Sequence, residues 1–556
     1  MAILTPKQLW QDFDRHLDLN AAVVRETTTP FIDKRIYFNG LKTSQGHIRI
    51  YARFLSCDDT KKPAVIFLPP AEYNINNIDA QKILTLFKNY SLLIIDYAGI
   101  TAPDKAFNTI YPKDIDTYWQ RDITTLAAPV TDMKTAAHYY FTSCALFALS
   151  YLETLNIDKD KIGVLGIAEG ASLVYKISID KAVKCGVSFF CGDIFSGQQE
   201  YIAYKAAFDS RAYAAKTNMP VLINAAANQA DGAFDYLNDL YLGSTNSRFS
   251  TFALSSKAVS EEQRQSAVKW LDFMLIQNEE LAADRIKTTQ NQHENYAGKT
   301  KNLSNSETAI LNPELNALPP PPKISSSVSE GATYVELSGE FERVEMFIAE
   351  DRLSQYRNWK PLRHSKISET KYLARVDSSH LTYNVYANIT TKCGFNFSSE
   401  MISLTPLKVE NIGTKRGRII YKAATDTGGW LIKGGDFFET NAPVLKKGPF
   451  DLEGICAEEL ISFAAGDEAN QGKSDSLLQI ILHINKPGDI EFNIIIQNDG
   501  IQEFKHIKMI MDKAWAVVTL SPEDFKCSKG TPSFDKVIAI GIKSDEQLLI
   551  NSIIWV

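Results

Sequence analysis

The stretch KIGVLGIAEGASLVYKIS, residues 161–178, decides how the first half of this chain is read. After Lys161 its first residues are apolar and uncharged, as a strand covered on both faces has to be. They run without a loop into Gly166-Ile167-Ala168-Glu169-Gly170 and then into a helical pattern. Two glycines around a sharp turn recur by chance, so the spacing alone is a weak signal. Its setting is more specific: a small residue, Ala171, follows the second glycine, and the strand is the fourth candidate of its region.

Outward from that turn, residues 45–275 alternate β-rich runs with helical ones. The candidate strands are 47–55, 64–69, 91–97, 161–167, 185–190, 220–226 and 249–255. Helical patterns fill 134–155 and 259–276, the second opening at Ser260 with Glu262 close behind, a helix-start signal. Strand and helix in alternation imply βαβ units and a mostly parallel sheet. Beyond this region the pattern turns polar, then reads ALPPPPKISSSVSEG, so 277–330 is expected to be a linker, stiff where the prolines run. Helical periodicity then stops. Residues 331–406 and 407–556 alternate as short strands, predicting two antiparallel β-sandwiches, the first immunoglobulin-like. The expected fold class is therefore α/β plus all-β, with a first domain over 1–276.

Composition narrows the function classes. A chain of 556 residues exceeds one core, and its 45% hydrophobic and 22% charged residues are ordinary for a globular protein. A formal net charge of -7 with no long Lys/Arg run argues against nucleic acid or an anionic membrane as partner. The longest uncharged run, 139–152, is too short to span a bilayer and reads as a buried helix. The first twenty residues lack a basic segment followed by an apolar one, and the seven cysteines are scattered and odd in number. Both point to reduced thiols and a cytoplasmic location. No HExxH, CxxC pair or P-loop occurs, so neither a metal nor a cofactor is expected. His138, Cys185 and Cys191 sit in apolar stretches and read as core residues.

Strand, glycine-flanked turn and helix together resemble the α/β-hydrolases, in which a G-x-S-x-G turn holds the nucleophile. Residues 1–275 are similar to the acetyl-xylan-esterase and dienelactone-hydrolase branch, and the following segment resembles the β-sandwich that accompanies it in larger proteins. That resemblance implies a serine, an acid, a histidine and an oxyanion loop, and this sequence departs from each. Ala168 stands at the nucleophile position, and a methyl group cannot attack a carbonyl. Gln229 falls where the acid belongs, with Asp231 near it. The base is expected after the last strand, near Lys257, yet no histidine lies between His138 and His293. The oxyanion loop reads Pro69-Pro70-Ala71, and proline has no N–H to donate. Pro69, Pro70 and Glu169 are expected to line what remains of the pocket. Ser172, one turn into the helix, reads as an ordinary helix serine.

The C-terminal region resembles carbohydrate-binding-module jelly rolls around Ser521-Pro522-Glu523-Asp524-Phe525. Trp430, Phe437, Phe438 and Trp515, with Asp436, are candidate sugar contacts or core residues, and Trp555 reads as a plug for the sandwich. The leading expectation is a catalytically inactive, esterase-like protein that binds or scaffolds. Its ligand would be a carbohydrate or small ester, its partner another protein or its own copies. The alternatives are a carboxylic or acetyl-xylan esterase with a non-standard nucleophile, such as Ser172 or Asp231, and a structural assembly subunit.

Overall fold

The computed structural model describes residues 3–100, 107–126, 130–192, 202–228, 233–244, 246–253, 259–277, 318–330, 332–377, 381–406, 417–423, 430–432, 444–498, 500–511, 514–526, 530 and 532–556. The strands of its first half are β1 (Ala22–Thr27), β2 (Ile32–Thr43), β3 (Gly46–Ser56), β4 (Lys62–Leu68), β5 (Ser91–Asp96), β6 (Ile157–Ile167), β7 (Val183–Phe189), β8 (Val221–Ala226) and β9 (Arg248–Ala253). They lie side by side as β1-β2-β3-β5-β4-β6-β7-β8-β9. From β5 through β9 every pairing is parallel, while β1, β2 and β3 join antiparallel. The parallel strands are the ones whose residues are buried on both faces, which is why they read as continuous apolar runs. β1 and β2 carry no such run and lay outside the expected strands.

Helices cover the sheet: α1 (Ala137–Leu152), α2 (Glu169–Ile177), α3 (Ala233–Leu242) and α4 (Glu261–Asp272). Every residue of α1 is buried, as expected of its uncharged run. Leu146, Phe147 and Leu149 are each worth about 1.5–3 kcal/mol of transfer from water. Ser260 caps α4 as expected, but its reciprocal partner in the capping box is Gln263, not Glu262. Among the described residues no helix is long and apolar enough to cross a membrane.

The second region departs from the sequence reading. Its strands are β10 (Lys323–Ser329), β11 (Ala332–Ser338), β12 (Arg343–Glu350), β13 (Lys360–Leu362), β14 (His364–Ser368), β15 (Lys371–Val376), β16 (Tyr383–Thr390), β17 (Asn396–Ser398) and β18 (Ile402–Leu404). Residues 323–329 were expected to close the linker, yet they form β10, paired with β11 along its whole length. Serine favours strands little, so tertiary pairing overrides the local preference here. Residues 278–317, the bulk of the expected linker, lie outside the described residues. One sheet, β10-β11-β15-β14, closes a sandwich with a second made of β17, β16, β12 and β13. That second sheet is no separate layer. β17 pairs with β9 at Ser398↔Phe249, so the parallel sheet continues through it. The cores merge too: Val335, Met346, Val385 and Phe397 share one cluster with Trp270, Leu271 and Phe273.

The third region has a core of its own. Its strands are β19 (Ile419–Lys422), β20 (Trp430–Ile432), β21 (Val444–Lys447), β22 (Glu453–Ser462), β23 (Leu478–Ile484), β24 (Gly488–Gln497), β25 (Ile501–Ile510), β26 (Ala516–Leu520) and β27 (Val537–Trp555). The two closing strands expected from sequence are one, β27. Its first half pairs β24 and the end of β22, and its second half pairs the start of β22, β23 and β19. Trp555 is buried, its Nε1–H donating to the Asn470 carbonyl at 2.7 Å, so it does plug this core. Asn358 Nδ2 donates to Asp467, which also pairs with Lys360, pinning the third region to the second.

Candidate functional site

The site is built from the turn between β6 and α2. Ala168 has φ 53° and ψ −116°, a backbone conformation that L-residues rarely adopt. The flanking glycines explain how it is held. A Cβ on Gly166 would lie 2.2 Å from the Gly170 carbonyl oxygen, and one on Gly170 would lie 2.0 Å from that of Leu68. Backbone meets backbone at both points, so neither neighbour can yield. The Ala168 N–H donates to the Phe189 carbonyl at 2.9 Å, tying the turn to β7. This is the strained strand-to-helix geometry that presents a nucleophile in hydrolases, and it presents a methyl group.

The structure sets Glu169 against the loop that carries Pro69 and Pro70. Past β4, the Pro69 carbonyl accepts the Tyr97 hydroxyl at 2.6 Å, and neither Pro69 nor Pro70 has an N–H. The first N–H the loop offers after them, on Ala71, points at the Glu169 carboxylate, with N···Oε2 at 3.2 Å. Glu169 follows Ala168 in the turn, so the side chain beside that donor answers it itself. An anion forming there would meet a carboxylate already in place. Burial first, then the charges of Glu169 and Asp96, push the Tyr97 hydroxyl well above the usual phenol range.

The loop expected to correspond to the acid loop begins after β8. Gln229, Asp231 and their neighbours up to 232 lie outside the described residues, as does Lys257 in the loop after β9. What precedes them is clamped. Asn228 Nδ2 donates to the Arg357 carbonyl at 2.7 Å, and Trp359 Nε1 to that of Ala227 at 3.4 Å. Arg357 in turn grips Asp235 of α3 with two bonds, at 2.5 and 3.0 Å. The segment just before β13 therefore sits against the start of the acid loop.

Ser172 is turned into its own helix. Its hydroxyl donates to the Glu169 carbonyl at 2.7 Å within its own helix. His138 is buried in α1 beside the rings of Phe141, Tyr204 and Phe208, and burial with the charge of Lys176 holds its basicity well down. Cys185 is buried, and burial pushes its thiol up. Two further groups escaped the sequence reading. Lys176 of α2 is fully buried, its ammonium donating to the Ser172 carbonyl at 3.2 Å, and burial lowers it to about 8 against the pull of Cys191 and Asp209. Asp96, at the end of β5, is raised to about 6 by burial, opposed by N–H donors of Thr109, Gly99 and Ala98. A lysine in the apolar run LVYKIS and an aspartate closing SLLIID were the signals available. Among the described residues no three His, Cys, Asp or Glu groups gather as metal ligands.

Of the C-terminal aromatics, Trp515 is half-buried, with Nε1–H donating to the Pro449 carbonyl at 2.8 Å. Asp436, Phe437 and Phe438 lie outside the described residues, and only the backbone of Trp430 is described, in β20.

No protein-family model matches the chain, and no curated protein matches it. Solved structures do. The chain is similar to acetyl xylan esterase 1 from Thermoanaerobacterium sp., at 14% identity and TM-score 0.37, over 48% of this chain and 93% of that one. It is similar to an acetyl xylan esterase from Paenibacillus sp. R4, at 13% identity and TM-score 0.38, over 49% and 92%. A Klebsiella pneumoniae protein described as a dienelactone hydrolase follows, at 12% identity and TM-score 0.31, over 44% and 98%.

Proposed function

We propose that this chain is a binding or scaffold protein that keeps an esterase-type body without esterase chemistry. The observation that carries the reading is Ala168, a methyl group held at the strained φ of 53° where a nucleophile would stand. The Glu169 carboxylate on the Ala71 N–H supports it, as does the clamp of Arg357 and Trp359 on the acid loop. In active hydrolases, loss of one triad member lowers the rate by about 10⁴-fold, and here the oxyanion donors are compromised as well. The carbohydrate named by the neighbouring esterases is the ligand class to screen first.

The test is hydrolysis of p-nitrophenyl acetate by the purified chain and by Ala168→Ser, each against a buffer blank. Both are expected to match the blank, because a restored hydroxyl still meets the Glu169 carboxylate. Turnover by the unaltered chain well above the blank would overturn the reading and direct attention to covalent labelling of another nucleophile.

A further inference from the structure

A cavity of about 850 Å³ opens at one end of the parallel sheet. Its walls come from the short helix Pro6–Trp10 and the residues after it, the turn from α2 into β7, and the loop that leads into β8. The volume is that of a small-molecule site, about 300–1,000 Å³. β6, β7 and β8 run parallel, and the elbow follows the last residue of β6. The cavity touches Val183, which opens β7, and Pro220, just before β8. Elbow and cavity therefore lie at opposite ends of the same strands.

The walls are set before anything binds. Thr5 and Gln8 cap the short helix reciprocally. Trp10 Nε1–H donates to the Tyr213 hydroxyl at 3.0 Å, and that hydroxyl donates to the Ala207 carbonyl at 2.8 Å. Further along, Arg15 is held by Asp180 at 2.6 Å and by Glu153 at 2.8 Å, and its carbonyl accepts the Ser150 hydroxyl at 2.7 Å. The N-terminal segment is thus fastened on either side of the cavity.

Two kinds of side chain line it. Trp10, Leu146, Val183 and Met219 are buried, and Phe13 is half-buried beside them. Trp10 is already stacked on Tyr139 at 4.7 Å and meets Phe13 edge-on at 5.1 Å. A planar base needs an open ring to stack on, whereas this lining suits a flexible aliphatic chain. Lys7, Lys181, Lys184 and Lys216 reach the cavity from three separate segments, and all are exposed. Among the described residues none of the four pairs with a carboxylate, and Lys184 Nζ donates to the Lys181 carbonyl at 3.1 Å. The carboxylates of the lining are engaged already. Asp180 takes Arg15 and the Ala182 N–H, and Asp14 takes the His16 N–H at 2.8 Å. On a chain of formal net charge -7, this is a locally positive mouth with an apolar interior.

We propose that this cavity binds a medium-chain fatty acid, its carboxylate among the lysines and its aliphatic chain along Leu146, Val183 and Met219. Burial of the chain supplies affinity that grows with its length, and the ammonium groups select the sign of the head. The site goes beyond the reading of the elbow and does not depend on it.

The experiment is isothermal titration calorimetry of the full chain with decanoate. Butyrate is the short-chain control, and decyltrimethylammonium is the control of opposite charge. Decanoate is expected to saturate and to bind at least about 10-fold more tightly than either, with rising salt weakening it. The double variant Lys181→Glu, Lys216→Glu should weaken decanoate by about 10-fold. Ile179→Asp, at an exposed apolar residue of the lining, should weaken it by about 5-fold. All three positions are exposed, so the variants keep the fold. No saturable heat from decanoate, equal affinity for the cationic amphiphile, or unchanged affinity in both variants would overturn the site. So would co-sedimentation with phosphatidylserine vesicles that the double variant abolishes, since the lysines would then meet a bilayer surface and not a free acid.

Discussion

Of the turns that hold a non-glycine residue at positive φ, those at Ala168 and Phe450 use it in opposite ways. At the elbow, Ala168 is wedged between sheet and helix, with glycines on either side whose neighbours leave no room for a Cβ. In the turn before β22, Phe450 is held by one backbone hydrogen bond and one indole, with its ring in solvent. The elbow spends its strain on presenting a methyl group. The turn before β22 displays a large side chain to solvent instead. Strain therefore marks where structure over-determines the backbone, and only the side chain it presents indicates a use.

The comparison breaks most visibly at the elbow's glycines. Gly170→Ala is expected to destabilise the chain by at least about 4 kcal/mol, because the methyl meets the Leu68 backbone with nothing free to shift. Urea unfolding followed by fluorescence measures it, and a loss under about 1 kcal/mol would mean the turn is not locked as described. In the turn before β22 no substitution should approach that size.

A smaller effect, of opposite sign, is expected one helix turn on. Lys176 is buried with its basicity lowered from 10.5 to about 8, so its charged form is disfavoured in the folded state. That penalty is fully present below about pH 8 and is relieved as pH rises towards 10.5, where the unfolded chain also loses the proton. Stability of the unaltered chain should therefore rise with pH across this window. Lys176→Met should be more stable by about 1–3 kcal/mol at pH 7 and should flatten the rise. Thermal melts from pH 7 to 10 decide it, and a less stable variant would show that Cys191 and Asp209 offset more of the burial than stated.

The smallest effect sharpens the comparison itself. Glycine relieves positive φ at either turn, so Ala168→Gly should stabilise by about 1 kcal/mol and Phe450→Gly by somewhat less, each offset by glycine's entropy. If Ala168→Gly destabilises, the methyl's packing in the core outweighs the strain.

How far this was legible in the sequence follows the same division. The elbow could be read because its constraint is local: an apolar run, two glycines and a helix in twenty residues. The parallel sheet was legible for the same reason. β10 was not, because three serines and a proline run describe a linker until β11 supplies the ladder. Nor was the junction at Ser398 and Phe249, or the hold of Arg357 and Trp359 on the acid loop, since nothing in either segment names the other. The bond of Glu169 to Ala71 was not legible either, since it needs two loops 98 residues apart to meet. Gly448-Pro449-Phe450-Asp451 reads as an unremarkable turn, and only Trp515 makes it a strained one.

The long strand β27 carries a consequence for synthesis. Strands β19, β22, β23 and β24 all pair with it, spread over both of its halves. A ribosome making this chain releases those partners first, so none can complete its sheet until residues 537–555 have emerged. The α/β body can be assembled while that wait lasts. The C-terminal domain folds at one late moment or not at all, and its apolar strands stay open to chaperones until then.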